Sequence, residues 1–350
     1  MTAGTSRVVF ATDLHLADGH GGFEAFAADL EEIADLAPDL LVLGGDICLW
    51  DSGSGDRLQD LLRDLPVDTM SLLGNHDTDR DFADRFGTPN RCVELGAVNV
   101  LGLNTCRVQP QYDDWRNVRG EIGDDDLAWL DTALGGLDRT RPLLLFVHIP
   151  LASTYPERRS VSQEISDVWR VTNARAVLDR LADWPAPVVV GQGHLHENQR
   201  MVQSGIEFVE SVSVCGTWWR AEAGERENAT SGEPRGYRML EWSAGKLSHH
   251  YLGSAESRIE AAGEIVGRPK KLPGNKPASL LVNIFDGTTT TRVSAQIDDG
   301  PSNGLKATNR GNHFSDLQAA HHWAWTIPAQ ALTPGQHQLT VRIEEPGRLG

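Results

Sequence analysis

Short apolar runs alternate with amphipathic helical patterns through the first two thirds of the chain, and this alternation restricts the fold more than any other feature. Arg7–Ala11, Leu40–Leu43 and Leu143–Val147 have the composition of buried strands. Residues 23–36 and 124–134 carry apolar side chains at helical spacing. Strands that alternate with helices form sheets whose faces are covered by those helices. The sequence therefore predicts an α/β core.

Polar side chains of a restricted kind follow five of the predicted strands. They occur in the segments ATDLH, LGGD, GNHD, LLLFVH and VVVGQGHLH, and the residues concerned are Asp13, His15, Asp46, Asn75, His76, Asp77, His148, His194 and His196. In open α/β sheets, ligands bind in the crevice beyond the carboxyl ends of the strands. We therefore expect these side chains to form one site.

Carboxylate, imidazole and amide ligands suit manganese, iron or zinc, and no thiolate is required. Two ions about 4 Å apart need a bridging carboxylate, and such a pair can clamp the attacking and leaving oxygens of a phosphoryl transfer. One Asp or His after a strand is more often a cap or a satisfied hydrogen-bonding group, and His-x-His alone is weak evidence. The prediction of a metal site depends on the ordered conjunction of all five segments.

This ordered set resembles the motifs of the calcineurin-like metallophosphoesterases over roughly residues 7–251. The resemblance implies a four-layer αββα sandwich in which two mixed sheets are flanked by helices. It also implies a dinuclear site. The first metal would be held by Asp13, His15 and His196, the second by Asn75, His148 and His194, and Asp46 would bridge them.

The same resemblance implies catalytic roles for two further residues. His76 would lie beside the metals and protonate the leaving group or stabilise developing charge, and Asp77 would orient His76. We hypothesise in-line attack on phosphorus by a metal-bridging hydroxide. Many members carry a further Asp or Asn soon after the bridging Asp, whereas here the next acidic residue after Asp46 is Asp51, and this difference suggests a different pocket wall.

The pattern changes to strands after Gly193, and the chain divides into three predicted parts. Residues 1–255 form the catalytic domain, 256–277 a Pro-, Gly- and Lys-rich linker, and 278–350 a small all-β, sandwich-like domain. The segments CGTWW and GEPRGY, together with this last domain, are similar to bacterial members of the family that have a β-rich C-terminal domain.

Substrate contacts are harder to assign than metal ligands. Trp218 and Arg220 in the long 216–236 segment, Arg235, and His20 after the first motif are candidates for binding substrate. Tryptophans more often pack in cores, and arginines more often contribute surface charge, so each candidate has a structural alternative.

Acidic residues outnumber basic ones 49 to 32, which gives a formal net charge of −17. Such a chain repels a nucleic-acid backbone at long range, so nucleic acid is not the expected partner. The four cysteines are scattered and are expected to be reduced thiols. Residues 1–8 lack the pattern of a signal peptide and no apolar stretch is long enough to span a bilayer, so we expect a cytoplasmic protein without membrane partners.

The sequence thus predicts a phosphoric ester hydrolase, a phosphatase or phosphodiesterase that acts on a small-molecule phosphomonoester or phosphodiester. A nuclease of the same fold remains an alternative, and it would need a basic groove. A metal-binding scaffold whose β domain binds a partner is the third possibility. The C-terminal domain could also form a dimer.

Overall fold

The protein's structure, a computed structural model, describes most of the chain in separate stretches. The described residues are 4–17, 22–50, 53–106, 118–159, 167–215, 233–254, 263–267, 277–288, 290–308, 321–328 and 335–344. No helix within these stretches combines the length and the apolar character needed to cross a membrane.

The first sheet has five strands in the spatial order β11-β10-β1-β2-β3. Its strands are β1 (Ser6–Ala11), β2 (Leu40–Leu43), β3 (Thr69–Ser71), β10 (Gly236–Ser243) and β11 (Lys246–Gly253). Strands β1, β2 and β3 are parallel, with Val9 opposite Leu41, whereas β10 runs antiparallel to β1 and β11. The carboxyl ends of β1, β2 and β3 therefore meet at one edge.

The second sheet has six strands in the order β4-β5-β6-β7-β9-β8. Its strands are β4 (Arg91–Leu95), β5 (Val98–Gly102), β6 (Leu143–Val147), β7 (Val188–Gln192), β8 (Gln199–Gln203) and β9 (Ile206–Glu210). The four inner strands are parallel and the two edge strands antiparallel. Strands β5, β6 and β7 are buried at every position, because both faces of this sheet are covered.

The two sheets face each other across one apolar layer. Phe10 of β1 and Phe146 of β6 meet in it with their ring centroids 5.0 Å apart, and both side chains are fully buried. The opposite faces of the sheets pack in a second cluster with helical side chains such as Phe26 and Leu130. The result is the four-layer αββα sandwich that the resemblance implied.

The helices of the described residues are α1 (Gly22–Asp35), α2 (Ser54–Arg63), α3 (Asp79–Phe86), α4 (Asp124–Gly136), α5 (Tyr155–Arg159) and α6 (Arg175–Leu181). The sequence pattern indicated α1 and α4 but not α2 and α3. Phe82 is the buried residue of α3, and α2 buries Leu58 with two small residues. Helices with so few apolar positions have a weak periodic pattern. Thr78 nevertheless caps α3 by accepting a hydrogen bond from the Asp81 N–H.

The C-terminal part is a sandwich of two antiparallel sheets, which confirms the predicted all-β module. One sheet has the order β12-β13-β17-β16 and the other β15-β14-β18. Side chains from both, such as Val282 and Val293, form its apolar core. The strands are β12 (Gly263–Gly267), β13 (Ala278–Ile284), β14 (Arg292–Ile297), β15 (Asn303–Gly304), β16 (Lys306–Ala307), β17 (His322–Ile327) and β18 (Leu339–Glu344).

Part of the predicted linker requires correction. Residues 263–267 form β12, which pairs with β13, with Ile265 opposite Val282. The surrounding segment is rich in Pro, Gly and Lys, so its composition indicated a linker. The strand forms by pairing with β13, which lies outside that segment. The boundaries 1–255, 256–277 and 278–350 otherwise stay a prediction.

Candidate metal centre

The polar residues that follow the five strands come together where the two sheets open at their carboxyl edges. The loop after β1 is joined to the loop after β2, because the Asp13 N–H donates to the Gly45 carbonyl over 3.1 Å. The loop after β7 of the second sheet is held at the same edge, because the His194 N–H donates to Asp13 Oδ2 over 2.9 Å. Residues more than 180 positions apart are thus held together by direct hydrogen bonds.

Asp46 lies at the middle of this cluster and is almost completely buried. Its Oδ2 atom is 3.3 Å from Nε2 of His148 and 3.6 Å from Nε2 of His15. Nε2 of His76 is 4.0 Å from the same oxygen. Asn75 adds an amide, with Oδ1 3.0 Å from Nε2 of His148. One carboxylate therefore faces imidazoles that come from both sheets.

A second set of ligand atoms surrounds Asp13, whose side chain is fully buried. Nε2 of His196 lies 3.2 Å from Asp13 Oδ1 and 3.3 Å from Nε2 of His15. Among the described residues, candidate ligand atoms lie within 4.8 Å of one another in three groups, which are Asp13–His15–Asp46, Asp46–His148–His194 and His15–His196–Cys215. Asp46 belongs to the first and second groups, and His15 to the first and third.

The backbone at these positions is unusual. Asp13, His15, Asp46, His194 and His196 all have positive φ, between 43° and 73°. Residues with a side chain rarely adopt this left-handed region, and such strain persists only where the surrounding structure imposes it. The hydrogen bonds between the loops supply that constraint. Strain concentrated on candidate ligands favours a functional role for them.

Burial and charge have opposing effects on the acids and imidazoles of the cluster. Burial alone would raise the pKa of Asp46, but His148 and His76 hold that pKa well below its usual value. Burial alone would lower the pKa of His148, and the carboxylates of Asp46 and Asp13 instead raise it to about 9. Burial also favours a low pKa for His196, which Asp13 and Cys215 outweigh, so that it rises well above its usual value. The two carboxylates thus attract positive charge to this place.

His15 and His194 are neutral at pH 7. Burial lowers the pKa of His15 to about 3 and that of His194 to about 4. Nε2 of His194 donates to the Val168 carbonyl over 3.1 Å, and Nδ1 of His148 donates to the Gly44 carbonyl over 2.8 Å. Each carbonyl fixes the orientation of its ring and leaves the other ring nitrogen facing the cluster.

Asp77 joins the loops that follow β2 and β3. Its Oδ1 accepts the Ile47 N–H over 2.9 Å and its Oδ2 accepts the Gly74 N–H over 2.8 Å, and the Trp50 indole donates to Oδ1 over 3.2 Å. Burial and the neighbouring charge of Asp46 raise the pKa of Asp77 to about 7. These contacts support the loops that carry Asp46 and Asn75, and the orientation of His76 by Asp77 stays a prediction.

Arg235, predicted to bind substrate, is buried beside α1. Its Nη1 atom lies 2.6 Å from Asp29 Oδ2 of α1 and donates to the Val214 carbonyl. Burying a guanidinium is unfavourable unless an acid neutralises it, and Asp29 does so here. This ion pair joins the start of β10 to α1, and substrate binding by Arg235 stays a prediction. The remaining predicted substrate contacts, His20, Trp218 and Arg220, lie outside the described residues.

Cys215 lies at this site although the sequence did not indicate it, since the four scattered cysteines were expected to be reduced thiols without a role in the site. Its N–H donates to the Asp13 carbonyl over 3.2 Å, and its thiol joins His15 and His196 in one of the three groups. No local pattern marks Cys215, since its position depends on a loop that follows β9.

A two-sheet sandwich with carboxylates, imidazoles and an amide at its carboxyl edge defines a metal-dependent hydrolase. Residues 6–198 match the sequence model of the calcineurin-like phosphoesterases, and residues 209–316 match the C-terminal region described for that family. The chain therefore belongs to the calcineurin-like phosphoesterase family, and it is a hydrolase of phosphoric esters.

Curated relatives of the chain are phosphodiesterases by name. It is 28% identical to a 3′,5′-cyclic-nucleotide phosphodiesterase from Nostoc over 249 residues, which cover 65% of this chain and 85% of the relative. It is 29% identical to a probable cyclic nucleotide phosphodiesterase from Rhodopseudomonas palustris over 197 residues, which cover 53% of this chain and 67% of that protein.

Solved structures confirm the fold. A dimetal phosphatase from Danio rerio superposes with a TM-score of 0.54 at 14% identity, over 71% of this chain and 96% of that one. An anchor protein of the Plasmodium inner membrane complex superposes with a TM-score of 0.51 at 10% identity, over 73% of this chain and 87% of that one.

Proposed function

We propose that this protein is a two-metal phosphodiesterase that hydrolyses a small phosphodiester. The first ion would be held by Asp13, His15 and His196, the second by Asn75, His148 and His194, and Asp46 would bridge the two. The observation that carries the proposal is the position of Asp46, whose Oδ2 lies within 3.6 Å of imidazole nitrogens from both sets.

The residues present fit metal ions chemically. Donors of this composition, without a required thiolate, suit manganese, iron or zinc. The Asn75 amide nitrogen is buried and has no hydrogen-bond partner, while its oxygen faces the cluster beside His148. Nε2 of His15 and Nε2 of His196 lie only 3.3 Å apart and beside the Asp13 carboxylate, so one cation can be held by all three side chains.

Bound ions would supply hydroxide at neutral pH and neutralise charge on the phosphoryl oxygens. The chain's own contribution at the leaving group would come from His76. Its backbone N–H donates to Asp46 Oδ1 over 2.8 Å. Its side chain is 32% exposed, so the ring is accessible from solvent. A ring placed in this way can donate a proton to a departing alkoxide.

The choice of a diester, and of 3′,5′-cyclic nucleotides as the first compounds to test, follows the names of the two relatives. A cyclic nucleotide has a single phosphodiester, so one pair of ions can engage it without a basic groove. The net charge of −17 agrees with a small substrate rather than a polynucleotide. Trp218, Arg220 and His20 remain predicted substrate contacts.

The test compares wild type with Asp46→Asn on bis-p-nitrophenyl phosphate, p-nitrophenyl phosphate and 3′,5′-cyclic AMP, after loading with manganese or zinc. We expect faster hydrolysis of the diesters than of the monoester. Asp46→Asn should lower the diester rate by more than ~10²-fold, beyond the loss typical of changes outside the ligand set. Asp298→Asn, in the C-terminal sandwich, is the matched control and should retain wild-type rates.

Two results would contradict the proposal. Failure of the wild type to bind any of these metals, measured by equilibrium dialysis, would exclude the dinuclear site. Metal binding with a clear preference for the monoester would keep the site and replace the diester assignment by a phosphomonoesterase.

A further inference from the structure

Asn198 lies two residues beyond His196 and is buried. Its N–H donates to Glu233 Oε1 over 2.8 Å. Its side-chain Oδ1 accepts from Arg238 Nη2 over 3.0 Å and from the Val212 N–H over 3.3 Å. The backbone that follows the candidate ligands is thus held by side chains distant in sequence.

The first of these contacts continues into the C-terminal sandwich. Glu233 is fully buried, and its Oε2 lies 3.7 Å from Nε2 of His321. His321 directly precedes β17 and is itself buried. Its Nδ1 is 2.6 Å from Oδ1 of Asn283 on β13. Buried polar groups therefore follow one another from the backbone of Asn198 through Glu233 to His321 and Asn283, with a hydrogen bond at each end and a longer contact between Glu233 and His321.

The second contact reaches the sandwich by another route. Arg238, on β10, is fully buried and pairs with Asp286 over 2.7 Å. Asp286 follows β13, and it also accepts the Tyr251 N–H from β11 over 2.9 Å. Nη1 of Arg238 lies 3.1 Å from Nδ1 of His249. Arg238 therefore connects the Asn198 side chain with a carboxylate of the C-terminal sandwich.

Both routes end at Asn198, in the loop 194–198 that carries His194 and His196. His194 and His196 have φ values of 73° and 54°, a conformation that persists only when neighbouring groups impose it. At one end of the loop the His194 N–H donates to the Asp13 carboxylate, and at the other end the Asn198 N–H donates to Glu233. The C-terminal sandwich contributes Asp286, which pairs with Arg238, and His321, which contacts Glu233.

We propose that the C-terminal sandwich is a positioning element for the metal centre, acting through Asp286–Arg238 and His321–Glu233 on Asn198. It holds the loop 194–198 in the conformation in which both histidines face Asp46 and Asp13. The proposal rests on the two-metal function proposed above. It gives the sandwich a role in metal affinity instead of partner binding.

Thermodynamic linkage offers a test on the unmodified protein. If the sandwich stabilises the metal-binding conformation, bound metal must stabilise the contacts of the sandwich by the same coupling free energy. Amide hydrogen exchange measured with zinc and with excess chelator should therefore slow on metal loading in β13 and at residues 321–327. Strands β14 and β18, on the other sheet, should change less.

Variants test the two routes separately. Asp286→Asn removes the charge facing Arg238, and His321→Gln alters the contact with Glu233 while leaving Arg238–Asp286 intact. Each should raise the dissociation constant for zinc by about 10-fold, as loss of residues that orient ligands typically does. Asp298→Asn removes an exposed pair with His337 in the same sandwich and should change it less than about 2-fold.

The outcomes separate this inference from the proposed function. A wild type that binds no metal contradicts the two-metal site itself. A wild type that binds zinc with unchanged exchange in β13 and β17 overturns the positioning role alone. So does wild-type zinc affinity in folded His321→Gln or Asp286→Asn, even where the urea midpoint falls, because that result indicates a purely structural contact. If Asp286→Asn does not fold, His321→Gln and the exchange measurement decide.

Discussion

The metal-ligand edge and the C-terminal sandwich differ in where their carboxylates lie. At the edge, Asp13, Asp46 and His148 are at most 2% exposed. In the sandwich, apolar side chains form the core, His321 and Asn283 are buried polar residues in contact with each other, and the ion pair Asp298–His337 lies at the surface, with Asp298 48% exposed. Burying an ionised group is costly unless it is paired or binds a metal. The protein therefore buries ionised side chains at the edge where metal ions are expected to bind.

The backbone shows the same difference. Five of the candidate ligands have left-handed φ, whereas in the described part of the sandwich the non-glycine residue with this conformation is Asp298, in a turn. Strand β18 alternates half-buried and exposed side chains along its whole length. The comparison teaches that the sandwich follows ordinary strand patterning, while the edge departs from it to place ligands.

Glycine-to-alanine changes should break this comparison most strongly. A Cβ at Gly74 would lie 2.0 Å from the backbone nitrogen of Asp46 and 2.2 Å from its Oδ1, whereas a Cβ at Gly304 meets nothing within 4 Å. Gly74→Ala must therefore displace Asp46. We expect its phosphodiesterase rate to fall by ~10²-fold or more, since displacing a catalytic group by about 1 Å costs that much.

Gly304→Ala is the matched control and should keep the wild-type rate, with a free energy of unfolding changed by less than about 0.5 kcal/mol. Rates on bis-p-nitrophenyl phosphate and urea unfolding measure both variants. Equal activity of Gly74→Ala and wild type would show that the edge tolerates displacement of Asp46.

His76→Ala should have the next largest effect, and it should depend on the leaving group. A general acid contributes about 10²–10⁴-fold to a rate. We expect a loss in this range for a diester with an alkoxide leaving group, and a much smaller loss for p-nitrophenolate, which departs without protonation. Steady-state kcat on both substrates measures the difference. Equal losses on the two would contradict the role of His76 as a proton donor.

The smallest expected effect is on stability in acid, and it concerns Glu207 on β9. Burial alone would raise the pKa of Glu207, but hydrogen bonds from His249 and Arg200 lower it from 4.5 to about 2. A lowered pKa in the folded state contributes stability that is present above pH 4.5 and is lost as the pH falls towards 2. The contribution is on the order of 2 kcal/mol at pH 7.

Urea unfolding in excess chelator, at pH 7 and pH 3, measures this contribution without interference from metal. Wild type should exceed Glu207→Gln in stability at pH 7, and the gap should narrow at pH 3. Asp298→Asn, which lacks a buried partner, should follow wild type at both values. A gap that stays constant with pH would show that Glu207 acts through packing and not through charge.

Much of the architecture could be predicted from local sequence. Leu40–Leu43 and Leu143–Val147 are strands with the predicted bounds, because a fully buried strand between polar turns is a strong pattern. Helices α2 and α3 were missed because they bury few apolar side chains. The sandwich was expected from its alternating runs, although β12 was hidden in the predicted linker.

For the site, the sequence by itself determined which side chains follow the strands. Parallel strands carry their carboxyl ends to one edge, so local pattern alone predicted that Asp13, Asp46, His148 and their companions would meet. Only the tertiary structure decided how charges are matched over long separations. It pairs Arg235 with Asp29, 206 positions away, brings Cys215 beside His196, and connects Asn198 to the C-terminal sandwich. These contacts follow from how the sheets and the sandwich pack, and packing between distant segments leaves no periodic mark in the chain.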